Sequence, residues 1–158
     1  MKQIIEAMLE VMKEVEGVGK TLDVGTGSNS YKGVSDKVVK ESVRPAMIKH
    51  GLTLLPTGVE AKATTERFMN QYGKPAQSTL TEVTTKYLLM HTSGESIELA
   101  GYGHGVDSQD KGAGKATTYA LKNCLLYTFL IPTGKIDDAD NTHSDEYEVP
   151  HVVETRRR

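Results

Sequence analysis

Residues 101–140, GYGHGVDSQDKGAGKATTYALKNCLLYTFLIPTGKIDDAD, constrain this chain more than any other stretch. From about residue 110 to 129 the spacing predicts one long helix. Ala113, Ala116, Ala120 and Cys124 form a side of small residues, which lets the helix lie close against a sheet or another helix. On the other side Lys111, Lys115, Thr118 and Lys122 recur at i, i+4, i+7 and i+11, a single cationic face. Such a stripe is ordinarily a solvated helix surface. Here it follows residues 101–108, which read as a Gly-rich polar loop allowing close backbone approach, and the helix start supplies amides for an anion beside Lys111.

The rest of the chain supplies the scaffold for that helix. Ile4, Ile5, Met8, Met12 and Val15 recur at helical spacing and predict an amphipathic helix over 2–16, ended by Gly17 and Gly19. Residues up to Ser30 read as a loop. Ser35 caps a second helix with Val38, Val39, Val43, Met47 and Ile48 as apolar positions, Pro45 as an expected kink and Gly51 as its end. Strands are predicted at 52–55, 59–70, 79–92 and 96–103, the last two joined by a Ser93-Gly94-Glu95 turn. The fold class is therefore α+β: two N-terminal helices, a three- to four-stranded antiparallel sheet, then a long helix.

Charge is unevenly divided. The formal net charge is −2, yet residues 136–158 hold seven acids and three arginines, so residues 1–135 are weakly basic. We read 1–135 as one domain and 136–158 as a disordered acidic tail. A polyanion would have to be held by a local stripe, since the overall field is too weak. No apolar run reaches signal-peptide length, and the single Cys124 cannot form an internal disulfide, so a soluble cytoplasmic protein with no membrane partner is expected.

Several familiar chemistries do not fit. Gly17-Val18-Gly19-Lys20-Thr21 resembles a phosphate loop, but its first required glycine falls on Glu14 and the motif follows a helix instead of a strand. In Gly112-Ala113-Gly114-Lys115 the magnesium-binding hydroxyl is replaced by Ala116. Asp137, Asp138 and Asp140 lack a loop signature for a metal, and the five histidines show no zinc spacing. No nucleophile elbow or acid/base pair stands out, so no catalytic residues, cofactor or metal are expected.

Asp107-Ser108-Gln109-Asp110-Lys111, Lys115-Ala116-Thr117-Thr118-Tyr119-Ala120-Leu121-Lys122, Thr133-Gly134 and Asp137-Asp138-Ala139-Asp140 occur in an order that resembles the Erf family of bacteriophage single-strand annealing proteins. The likeness extends upstream through Tyr31-Lys32, Ser35-Asp36, Arg44-Pro45 and Gly51-Leu52. It implies a β-β-β-α core similar to the eukaryotic annealing mediators, ring or filament homo-oligomers, and annealing of complementary single-stranded DNA in the host cytoplasm without ATP. A single-strand-binding protein or a phage nuclease is an implied partner. The lysine stripe would then neutralise phosphates while the bases stay free to pair. Tyr31, Lys32 and Lys37 form a second candidate DNA-binding group, with Tyr31, Tyr102 and Tyr119 as stacking platforms. Three rivals are a double-stranded RNA module with a similar element order, an ATP-driven recombinase, and an oligomeric scaffold that binds no nucleic acid.

Overall fold

A computed structural model describes residues 1–20, 22–24, 31–109 and 111–133, with the backbone alone described at 22–24, 31 and 32. The expected acidic tail lies outside the described residues. In chain order the elements are α1 (Lys2–Glu14), β1 (Leu22–Val24), β2 (Tyr31–Gly33), α2 (Asp36–Lys49), β3 (Leu52–Met69), β4 (Pro75–His91), β5 (Ser96–Asp107) and α3 (Gly112–Thr128). The α+β class and the helix-sheet-helix order hold. A short antiparallel hairpin, β1 with β2, occupies part of the segment expected as loop, and the main sheet has three strands in the order β3-β4-β5.

The strands at 52–55 and 59–70 are one strand. Pro56 pairs with Tyr87 and Gly58 with Lys86, so the register shifts by one residue and β3 continues. Pro56 is tolerated because β3 is an edge strand, where a missing N–H breaks no central ladder. The β4–β5 turn is the expected one: Gly94 takes φ 90, and Gly94 N–H donates to His91 O at 2.9 Å.

Residues 101–103 lie in the strand expected at 96–103, and residues 104–107, expected as loop, are strand too. They continue β5 to Asp107, and alternate residues face opposite sides of the sheet. Gly101, Gly103 and Gly105 all face α3. A Cβ added at these positions would stand 2.5 Å from Ala120 O, 2.3 Å from Ala116 O and 2.7 Å from Gly112 O. The three contacts align because two strand residues advance about 6.6 Å and four helix residues about 6 Å. Each strand glycine therefore meets a small residue one helical turn from the last. Gly112, Ala116, Ala120 and Cys124 form the buried side of α3. Ala113, expected on that side, is exposed because the seam runs through 112 instead.

α1 buries Ile4, Ala7 and Val11 and leaves Ile5 and Leu9 about half exposed, a rotation from the expected face. It ends at Glu14. α2 begins at Ser35, whose Oγ accepts from Val38 N–H at 3.2 Å, and its helical span runs through Pro45 to Lys49. Val39, Val43, Leu89 and Phe129 join Ile4 and Val11 in the core, while Ile48 faces outward. α1 has no side-chain cap of its own. Glu95 supplies one from the β4–β5 turn: its carboxylate pairs with the Met1 amine and accepts from Ile4 N–H at 2.8 Å. At the other end Glu14 joins α1 to Lys49, the last residue of α2, and to His50 just after it.

Gly103→Ala should destabilise by about 1–3 kcal/mol, since the new methyl meets backbone that cannot move without lifting α3. Gly114→Ala, with nothing within 4 Å of its added Cβ, should stabilise α3 by about 0.5–1 kcal/mol. Denaturant unfolding of the two variants measures both signs.

The Met1 amine and then Ile4 N–H hold the Glu95 carboxyl below its ordinary value of 4.5. A carboxyl depressed by folding adds stability above that value and loses it as pH falls through the lower folded value. Glu95→Gln should therefore melt below wild type at pH 7, and the gap in Tm should close as the pH drops below 4.5.

Candidate nucleic-acid interface

Because α3 sits tightly over β5 and β4, it leaves the β3 side of the sheet uncovered. A groove of about 310 Å³ runs between α3 and β3. Thr117, Thr118 and Leu121 form its helix wall, Leu54, Pro56 and Val59 its strand wall, and Thr85 and Tyr87 its floor. The floor is fixed: Thr85 is buried and its hydroxyl donates to Gly101 O at 3.2 Å. Lys40 of α2 also lines the groove, paired with Asp36 at 2.7 Å. Sequence reading passed over Lys40, although the i, i+4 spacing from Asp36 was visible.

The predicted stripe divides into two parts. Lys111 and Lys115 lie at the start of α3 and are exposed. Lys111 has no ion pair within 4 Å among the described residues. Lys115 pairs with Asp107, the last residue of β5, and that contact holds the Asp107 carboxyl below its ordinary range. The Lys115 side chain stays about half exposed. Thr118, one turn on, points into the groove.

Lys122 departs from the stripe. Its Nζ donates to Val34 O at 2.9 Å and lies over the Tyr119 ring, 4.4 Å from the centroid. Burial pushes the Lys122 ammonium below its usual range, opposed by the Asp36 charge. Helical periodicity placed this residue on the cationic face, but α2 and the residue after β2 cover that end of it. Lys122 ties Val34, and with it the strand carrying Tyr31 and Lys32, to α3. Tyr119 is the half-buried ring beneath this lysine.

Of the second candidate group, Tyr31 and Lys32 are placed only by backbone, in β2. Lys37 is exposed, pairs with Glu41 at 3.7 Å and does not line the groove. Tyr102 is exposed on the opposite face of the sheet from α3, where it shares a shallow depression with Glu60, Lys62, Glu82 and His104. The sheet separates it from Lys111 and Lys115. The two loop-like motifs are also occupied. Val18 N–H donates to Pro132 O at 2.9 Å, and Gly112 is buried against Thr81.

Together these features define an α+β domain in which one long helix, packed on a three-stranded meander, exposes two lysines at its start and walls an open slot further along. The chain belongs to the ERF superfamily, whose family profile it matches over residues 4–155. Membership supports a role in phage recombination by single-strand annealing. No curated protein matches the chain at a significant level.

Lys122→Ala should cost about 1 kcal/mol or more, through the lost bond to Val34 O and the ring contact. Lys111→Ala should stay within about 0.5 kcal/mol, as expected for a solvated side chain. Urea unfolding of the pair separates a strut from a surface cation.

Proposed function

We propose that the protein binds single-stranded DNA along the α3 side of the sheet and anneals complementary strands without ATP. The observation that carries this reading is α3 itself, which exposes Lys111 and Lys115 at its start and, one turn further on, turns Thr118 into an open groove that Lys40 also lines. A strand's phosphates would lie on the ammonium groups, and each neutralised phosphate would release condensed counterions. The contacts carry no base code, which suits a protein that must accept any sequence. Annealing is downhill once strands meet, so holding the strand is the whole task and no covalent chemistry is required.

Self-association belongs to the same reading. β3 and β5 are both edges of the sheet, and Ile5 and Leu9 leave an apolar stripe on α1, so a homo-oligomer, ring or filament, would cover surface that a monomer exposes. A single-strand-binding protein or a phage nuclease would act beside it in the host cytoplasm.

The test pairs an annealing assay on labelled complementary oligonucleotides, without nucleotide, with a salt titration of binding. Wild type should anneal without ATP, and Lys111→Ala should lower the salt slope by about 0.7, one contact's share for a single strand. Strict dependence on ATP would favour the recombinase reading. Preference for double-stranded RNA at fixed salt would favour the RNA-binding one, and no retention at low salt the scaffold.

A further inference from the structure

The outer half of β3 is covered on neither side. Every residue from 59 to 69 is exposed, including Val59, Phe68 and Met69, each at least half open to solvent. The strand pairs with β4 alone, so its outer row of N–H and C=O groups has no strand partner among the described residues. After the shift at 56–58 the pairing with β4 is regular to Met69, with no further bulge and no proline. Edges of this length are usually blunted, because they accept another strand.

The sequence of this edge is complementary to itself. In an antiparallel pairing of two copies about Thr64, Lys62 faces Glu66 of the second copy, and Glu66 faces Lys62. Thr64 meets Thr64 on the two-fold axis, Ala63 meets Thr65, and Val59 meets Met69. Opposite charges, paired threonines and paired apolar residues are the combinations that stabilise facing strands. Neighbouring registers lose this. Centring on Ala63 sets Glu60 against Glu66 and centring on Thr65 sets Glu66 against Thr64, so only the Thr64 register pairs Lys62 with Glu66, at the cost of Glu60 facing Phe68. Val59, Ala61 and Ala63 lie opposite the buried Thr85, Val83 and Thr81, so the odd-numbered side chains share the face of the sheet that α3 covers. The Thr64-centred register pairs odd residues with odd, so both helices fall on one face of a continuous six-stranded sheet.

We propose that β3 is a dimerisation edge, pairing antiparallel with β3 of a second copy about Thr64. The proposal adds to the self-association put forward above an isologous contact, which by itself closes at a dimer, so a ring or filament would need a second surface; it is independent of strand binding by α3. It places the two α3 grooves on the same face of a shared sheet.

The experiment is run without DNA, on the full chain with Cys124→Ala, which removes the native buried thiol. Facing Cα atoms in an antiparallel pair stand about 4.5–5.5 Å apart, within disulfide span. Thr64→Cys should therefore form a covalent dimer under mild oxidation. Glu60→Cys should not, because its two copies would lie about 27 Å apart along the strands. Lys62→Glu should raise the dimer Kd about tenfold by setting like charges face to face at two positions, and adding Glu66→Lys should restore it. Particles larger than one chain whose Thr64→Cys variant does not cross-link would overturn this contact and leave self-association by another surface. A monomer at all concentrations would overturn both, and neither result bears on whether Lys111 and Lys115 hold a single strand.

Discussion

The close approach of α3 to β5 is the constraint on which the other features depend. Three glycines on one face of a strand meet Gly112, Ala116 and Ala120 on a helix, and no Cβ fits between them. The contact works because two strand residues and four helix residues cover nearly the same distance. It also fixes the position of α3 across the sheet. A helix drawn down onto β5 and β4 cannot also cover β3, and the uncovered ground becomes the groove.

That arrangement sorts the charged residues by how far each lies from the covered end of α3. Near its start Lys111 is exposed, while Lys115 reaches the end of β5, where its ammonium bridges to Asp107 and donates to Val106 O. Near its end, α2 and the residue following β2 close over the helix, so Lys122 becomes a tie to Val34 in place of a surface cation. Asp107 has a further consequence. A phosphate arriving at Lys115 must compete with a carboxylate already bound there, which tempers the gain from that lysine. Lys111 carries no such partner among the described residues, so it has more to gain from an anion.

The helices at the other end of the chain are joined by side chains far apart in sequence. Glu95, in the β4–β5 turn, caps the first turn of α1, and Glu14 at the end of α1 holds Lys49 and His50. α1 is thus fixed at both ends by charged contacts and along its middle by Ile4, Ala7 and Val11. Each carboxyl is depressed by its partners, so low pH should loosen both ends together.

Local signals were sufficient for much of this. The Ser35 cap, the Ser93-Gly94-Glu95 turn, the presence of both N-terminal helices and the length of α3 are set by neighbours within a few residues, and sequence alone determined them, though not which side of each helix is buried. So was the family, through an ordered series of short motifs. Sequence could not tell whether alternate glycines at 101, 103 and 105 made a flexible loop or a strand under a helix, because a glycine's lack of a Cβ serves both. Nor could it tell that Lys122 turns inward, that Lys40 borders the groove, or that Tyr102 lies across the sheet from Lys111. Those outcomes depend on which element covers which, and that is decided by contacts between residues as far apart as Val34 and Lys122, which no local period encodes.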